Sequence, residues 1–213
     1  MAKTKTAKPR TIAKKVVELV TTTAVEPAEL KSYAWGDAAH PGFFFSRYWW
    51  EGLGPRAGIT PWVEKKIQPG DDPVFGKAAK VEVLLPDTAP SDYANLAFLL
   101  RQVDEALPPF ERHVMVQAKI ALDPDEPWPA EYERVRAFAR SHFCRRFPVV
   151  MVTHVPSIAG LNGYGSHVHC IVLARPITIN GLGGPCHPLC SDKGYREARD
   201  AWKAWLAAEG KAA

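Results

Sequence analysis

The chain has 213 residues, 46% of them hydrophobic and 23% charged, which is typical of a globular protein large enough to bury one core. No apolar run reaches the roughly 18 residues that cross a bilayer, and the start lacks an apolar signal core, so we expect a cytoplasmic protein without a membrane segment. The formal net charge is +4, and six basic residues precede the first acid, Glu18. We expect residues 1–28 to form a flexible basic arm, suited to phosphate backbones or serving as a solubilising tail, and residues 29–213 to form a single domain.

The patterns of apolar residues after the arm predict a series of strands and helices. The aromatic run at 41–50 predicts a strand, and the Gly- and Pro-rich residues 51–79 predict a loop with one helical turn near 62–67. The remaining patterns predict strands at 79–86, 112–122, 147–155 and 167–174, and helices at 13–21, 91–106 (capped by Ser91 or Asp92), 130–146 and 193–209. Because adjacent strands favour hairpins, we expect an α+β fold in which helices cover one face of an antiparallel-rich sheet.

Three histidines stand close together in the two adjacent strand-like runs. His167 and His169 are one residue apart, and side chains at i and i+2 of a strand point the same way. His154 ends the preceding run, and antiparallel pairing would place it roughly opposite Val168 or His169, with Cβ atoms about 4.5–5.5 Å apart. Three imidazoles with open coordination positions predict a catalytic metal site that could act as a Lewis acid on a phosphodiester. A slip of one residue in the pairing would separate them onto two faces.

A second group of potential metal ligands lies further along the chain. Cys186, His187 and Cys190, with Cys170 or Cys144, could bind zinc, although an ordinary Gly- and Pro-containing loop explains the same pattern. His187 could instead approach the three histidines. The four cysteines form no obvious disulfide framework, in keeping with a cytoplasmic protein.

The stretch 131–175 resembles the MobA/MobL family of plasmid mobilisation relaxases, within the HUH endonuclease superfamily. The resemblance is carried by the helical motif Val-Arg-Ala-Phe-Ala-Arg at 135–140, by Val-Thr-His at 152–154, and by Ser-His-Val-His-Cys-Ile-Val-Leu-Ala-Arg at 166–175. It extends more loosely from about residue 79 to about residue 206. The fold it implies is a central antiparallel sheet flanked by helices.

The function implied by the resemblance is site- and strand-specific nicking of DNA in plasmid mobilisation or conjugative transfer. In that family a tyrosine attacks the phosphodiester and forms a 5′-phosphotyrosyl link, while three histidines hold the divalent ion that polarises the scissile phosphate. His154, His167 and His169 match those ligands, with Mn or Mg as the expected ion and Zn, Ni or Co as alternatives. The implied partners are single-stranded or origin-region DNA and other relaxosome proteins.

Several positions depart from the family pattern. Gly165-Ser166 stands where the family has Asn-Pro, and residues 51–67, where its nucleophile is expected, contain no tyrosine. The nearest tyrosines are Tyr33 and Tyr48, and Tyr48 is the candidate nucleophile, in an aromatic run that could stack unpaired bases or form a strand core. Basic residues that we expect either to line DNA or to be solvated surface charges are Arg134, Arg136, Arg140, Arg145, Arg146 and Arg175.

Two other functions remain compatible with the sequence. A protein with the same fold could bind DNA as a mobilisation accessory factor without cleaving it. An unrelated enzyme could use a three-histidine metal site on a small molecule.

Overall fold

The computed structural model describes residues 26–36, 42–70, 77–161 and 165–210. Residues 1–25, which include most of the predicted arm and the helix predicted at 13–21, lie outside the described residues. The described strands are β1 Glu29–Gly36, β2 Phe43–Glu51, β3 Lys80–Leu84, β4 His113–Ala121, β5 Val149–His154, β6 His167–Leu173, β7 Ile177–Thr178 and β8 Gly181–Leu182. The described helices are α1 Thr60–Ile67, α2 Leu96–Ala106, α3 Trp128–His142 and α4 Asp192–Ala208.

Six strands form one antiparallel sheet in the order β1-β2-β4-β6-β5-β3, and β7 and β8 form a separate short hairpin. The α+β class and the central antiparallel sheet are therefore confirmed. β6 lies between β4 and β5, so the two histidine-bearing strands are neighbours near the middle of the sheet.

Helices cover both faces of this sheet, so the prediction that they cover one face is wrong. One core packs α3 and α4 against a sheet face through side chains such as Phe138 and Trp202, whose ring centroids are 4.9 Å apart. The other core packs α1 and α2 against the opposite face through Val63, Leu99 and Val103. The side chains of β4 and β6 are buried at nearly every position. A strand with apolar side chains on both faces of the sheet requires helices on both faces to exclude water from them.

Helix α1 forms in the segment predicted to be mostly loop. Pro61 lies in its first turn, where a missing N–H costs nothing, and Lys65 and Lys66 lie in its last turn, where positive charge is favourable. The carboxylate of Asp104 in α2 accepts hydrogen bonds from the backbone N–H of Ile59 at 2.9 and 3.1 Å, which fixes the start of α1 against α2. α1 is thereby held over the sheet face that carries the histidines.

Helix α2 begins later than predicted. Residues 91–94 form a 3₁₀ turn, and the cap of α2 is Asn95, whose side chain accepts from the Phe98 N–H at 3.0 Å. The predicted caps Ser91 and Asp92 are therefore wrong, because both belong to the preceding turn. No helix in the described part of the chain is both long and apolar enough to span a bilayer.

Candidate metal centre

The pairing of β5 with β6 brings the three histidines together. His154 pairs with His167, and Val152 pairs with His169, so all three imidazoles project from the same sheet face. The predicted shared face is correct, but the predicted partner of His154 was Val168 or His169. The observed register is set by pairing of the strongly apolar positions, which begins with Val149 opposite Val172.

The geometry of this histidine cluster (His154, His167 and His169) suits one shared ion. Ring centroids are 5.2, 5.3 and 4.8 Å apart, and one ring nitrogen from each histidine lies within 4.8 Å of the others. Metal–nitrogen bonds are about 2.0–2.1 Å, so small side-chain rotations suffice for all three to bind one ion. Among the described residues, no other group of histidine, cysteine and acidic side chains is gathered this closely.

Burial keeps these histidines neutral, which is the form that binds metal. It lowers the pKa of His154 to about 4 and that of His169 to about 2, with further lowering by the neighbouring His167. Burial also lowers the pKa of His167. A neutral imidazole offers one lone pair to an ion and one N–H to a partner.

The hydrogen-bond partners of the three imidazoles also favour metal binding. Nδ1 of His167 lies 3.0 Å from the carbonyl oxygen of Gly165, and donation to that oxygen leaves Nε2 free to bind metal. The backbone of Lys66 lies close enough to His154 to raise its pKa slightly against the larger effect of burial. Nδ1 of His169 is buried and has no hydrogen-bond partner among the described residues, a cost that ion binding could relieve.

The histidine cluster opens into a cleft of about 720 Å³, called here the histidine cleft. Trp62, Lys65 and Lys66 of α1 and Lys119 of β4 also line it, and Lys119 is the cross-strand partner of His169. Burial and the charges of Lys119 and Lys65 lower the pKa of Lys66. Three amines around three neutral imidazoles make the cleft suitable for an anion such as a phosphodiester.

Sequence reasoning did not identify these lysines or Trp62. A usable signal was the spacing 62, 65 and 66, which puts three side chains on one side of a helix. That signal was hidden because the surrounding glycines and prolines predicted a loop.

Tyr48, the candidate nucleophile, is on the same sheet face as the histidine cluster but is not in contact with it. Its side chain is only 8% exposed, and its ring packs edge-to-face on Trp62 at 4.7 Å. Burial raises its pKa. Phe44 lies in the same cross-strand row as His169. Tyr48 is four residues further along β2, which places it about 13 Å from Phe44 at the usual rise per residue of a strand. Tyr33 pairs with Arg47 and faces the opposite side of the sheet.

The arginines predicted to line DNA lie away from the histidine cluster. Most are on or just after α3, on the opposite sheet face. The Arg136 guanidinium pairs with both Glu82 oxygens at 2.7–2.9 Å, and buried Arg175 donates to the Gly183 carbonyl at 2.7 Å. Arg140, Arg145 and Arg146 are exposed. Arg134 is paired with Glu131.

The second group of predicted ligands does not form a site. Cys186, His187 and Cys190 do not come close enough together to share an ion. His187 instead lies 2.5 Å from the buried carboxylate of Glu111 and close to His113, at the end of β4 far from Lys119. His187 therefore does not approach the histidine cluster.

Comparison with solved structures finds chains of similar fold. A structure described as "Molecular Basis of Vancomycin Resistance Transfer in Staphylococcus aureus" is similar with a TM-score of 0.52 over 63% of this chain and 72% of the other, at 18% sequence identity. The two chains therefore share an overall fold. At this identity the likeness concerns the fold alone. No family model matches the sequence, and no curated protein matches it.

Proposed function

We propose that the protein is a metal-dependent endonuclease of the relaxase type, which nicks one strand of DNA at a specific site during plasmid mobilisation or conjugative transfer. The observation that carries this proposal is the convergence of three neutral imidazoles on one point of a lysine-lined cleft. The likeness in fold to a structure concerned with the transfer of vancomycin resistance also supports it. The proposed setting is the cytoplasm, with single-stranded or origin-region DNA and other relaxosome proteins as partners.

The histidines and the lysines of the cleft have different roles in the proposed reaction. His154, His167 and His169 would hold a divalent ion, which supplies Lewis-acid polarisation of the scissile phosphate. An all-imidazole ligand set favours Zn, Ni or Co, whereas the family resemblance favours Mn or Mg. Lys66 and Lys119 would neutralise the phosphate charge and orient it towards the ion. The exposed arginines near α3 would extend DNA contact beyond the cleft.

Tyr48 is the proposed nucleophile, and its surroundings define what attack requires. Its hydroxyl would have to reach the phosphate past Trp62, because the two rings pack together. Its raised pKa means that the ion or a lysine must assist removal of its proton. Attack would bond the tyrosyl oxygen to phosphorus, break the bond from phosphorus to the 3′-oxygen, and free a 3′-hydroxyl after proton transfer.

A pool of circular single-stranded DNAs of randomised sequence tests the proposal, because the pool contains the target site without its being known in advance, and sequencing the linear products shows whether cleavage falls at one site. Nicking converts circles to linear strands, and a covalent product changes mobility on denaturing gels only until protease is added. We expect cleavage with Mn or another divalent ion, none with EDTA, and none in His167→Ala. The matched control is His187→Gln, which changes a histidine outside the histidine cluster. Equal cleavage by wild type and His167→Ala would contradict the proposal.

The Tyr48→Phe variant separates the possible outcomes because it keeps the ring packed on Trp62 and removes only the hydroxyl. Loss of nicking and of the covalent product supports Tyr48 as the nucleophile. Retained nicking excludes Tyr48 and leaves the metal site as the catalytic centre. Binding without cleavage by the wild type indicates the accessory DNA-binding function instead. That outcome would agree with the lining of the histidine cleft, which contains no tyrosine among the described residues. Metal binding without DNA binding would favour an enzyme that acts on a small molecule.

A further inference from the structure

Two aromatic rings on the histidine side of the sheet each have a lysine beside them. Nζ of Lys66 lies 5.2 Å from the centre of the Trp62 ring, and Nζ of Lys119 lies 6.0 Å from the centre of the Phe44 ring. Phe44 is 47% exposed, whereas its neighbours Phe43 and Phe45 are almost completely buried. An aromatic side chain that the fold leaves open beside a cation is a feature that packing alone does not require.

Both lysine–aromatic pairs, Lys66 with Trp62 and Lys119 with Phe44, lie near the histidine cluster. Phe44, Lys119 and His169 form one row across β2, β4 and β6, so Phe44 is two strands, or about 10 Å, from His169. Trp62 approaches the same cleft from above, on α1. Lys119 thus lies between the exposed ring of Phe44 and the predicted ion site.

The Trp62 ring is held in position by the core beneath it. Tyr48 packs edge-to-face on it, and Tyr48 is itself buried beside Val63 and Met115 in the α1–α2 core. Trp62 nevertheless lines the cleft. A ring fixed on one side and accessible from the cleft loses little conformational freedom when a flat ligand stacks on it.

We propose that Trp62 and Phe44 are base-stacking residues that position an unpaired nucleic acid strand so that its phosphate reaches the histidine cluster. This inference rests on the proposed function for the nature of the ligand. Unpaired bases offer free π-faces to aromatic side chains, whereas bases in a duplex are stacked on one another. Lys66 and Lys119, one beside each ring, would contact phosphates next to the stacked bases. The arrangement therefore discriminates between unpaired and paired strands before any chemistry takes place.

Fluorescence anisotropy with a labelled mixed-sequence DNA strand of about 16 nucleotides tests the proposal, using the full chain in EDTA so that no cleavage occurs. We expect Trp62→Ala and Phe44→Ala each to weaken binding of the single strand by about 5- to 100-fold, and Trp62→Phe to retain most of it. Binding of the same sequence as a duplex should change less than twofold. The matched control is Phe110→Ala, since Phe110 is 83% exposed but precedes β4, at the end of that strand opposite Lys119.

Several results would overturn the inference. Single-strand affinities of Trp62→Ala and Phe44→Ala within twofold of that of Phe110→Ala would do so, as would equal losses for single strand and duplex. Phe44 is about half exposed, so its variant remains informative even if Trp62→Ala unfolds, and circular dichroism checks the folding of both variants.

Two further measurements distinguish a failure of the stacking inference from a failure of the proposed nicking function. His167→Ala should lose nicking in the presence of metal, and in EDTA it should keep more affinity for the single strand than Trp62→Ala does. An RNA strand of the same sequence that binds more tightly than DNA, with the same dependence on Trp62, would retain the stacking site and contradict DNA nicking. Absence of nicking by the wild type with intact stacking would therefore count against the enzyme, and nicking by the wild type without stacking would count against this inference.

Discussion

At the scale of single residues, the histidine cluster combines burial with neutrality. His169 is 6% exposed and has lysines and histidines but no carboxylate among the groups that shift its pKa. The spacing of His167 and His169 was sufficient to predict a shared face, because strand geometry fixes it. The partner of His154 could not be predicted, since register depends on how the buried valines of β5 and β6 meet.

Protonation of His169 should destabilise the metal-free protein. Its pKa is lowered in the folded state and near 6.5 in the unfolded state, so the unfolded state binds the proton more tightly. Its contribution to stability is complete above pH 6.5 and is lost as the pH falls towards the folded pKa. Between pH 7 and pH 5 we expect it to remove about 1–2 kcal/mol of the free energy of unfolding.

Urea unfolding in EDTA at a series of pH values measures this effect. His113, His142, His154 and His167 also have lowered pKa values, so the informative quantity is the difference between wild type and His169→Asn. We expect the variant to show a shallower loss of stability on acidification. Parallel curves for the two proteins would contradict the assigned burial of His169.

At the scale of elements, α1 determines what the cleft presents to a ligand. It carries Trp62, Lys65 and Lys66, and it is only eight residues long, so its position depends on tertiary contacts. The helical spacing of these residues was visible in the sequence, but the contact with Asp104 was not, because it joins positions far apart in the chain. The sequence did not predict β1 for a different reason. Most of its side chains are exposed, and its alternation of apolar and polar residues is weak.

Removal of the Asp104 carboxylate should loosen α1. The carboxylate accepts from the Ile59 N–H, and Asp104→Ala leaves that donor without its partner. We expect a loss of about 1–2 kcal/mol in the free energy of unfolding, and weaker binding of single-stranded DNA because Trp62 is no longer held in place. Asp104→Asn keeps one acceptor oxygen and should lie between wild type and Asp104→Ala. An unchanged urea midpoint for Asp104→Ala would show that α1 is positioned by its apolar contacts alone.

The pairing of Arg136 with Glu82 should matter for the attachment of α3 to β3 more than for DNA. Both side chains are partly exposed, so we expect Arg136→Ala to cost no more than about 1 kcal/mol of stability. Arg140→Ala, an exposed neighbour on α3, should leave stability unchanged. Urea unfolding of both variants checks the stability effect. DNA affinity measured on the same proteins tests whether either arginine contacts the strand, and a larger loss for Arg136→Ala than for Arg140→Ala would contradict a structural role for Arg136.

At the scale of the whole molecule, the sheet has a different core on each face and the candidate site opens from one of them. The continuous apolar character of β4 and β6 could have indicated cover on both faces. The side on which each helix packs could not be predicted, because it depends on the connections and on the sheet order. The resemblance to relaxases correctly anticipated a central antiparallel sheet flanked by helices.

Metal binding should stabilise the entire fold through linkage. An ion present at about 100 times its dissociation constant adds about 2.7 kcal/mol to the free energy of unfolding, which corresponds to a rise of about 5–10 °C in Tm for a chain of this size. Thermal melts with Mn, Mg, Zn, Ni and Co would rank the ions. His167→Ala should lose the shift and His187→Gln should keep it. A shift of equal size in His167→Ala would place the ion elsewhere.

The three proposed ligands all come from one hairpin, between residues 154 and 169. Closing so short a segment costs little chain entropy, so this hairpin can form early in folding and before distant strands have joined the sheet. The row of Phe44, Lys119 and His169 instead requires three strands that are far apart in the chain to assemble. The proposed capture of an ion would therefore be a local property of a short piece of polypeptide, whereas the proposed selection of a strand would be a collective property that exists only in the finished sheet.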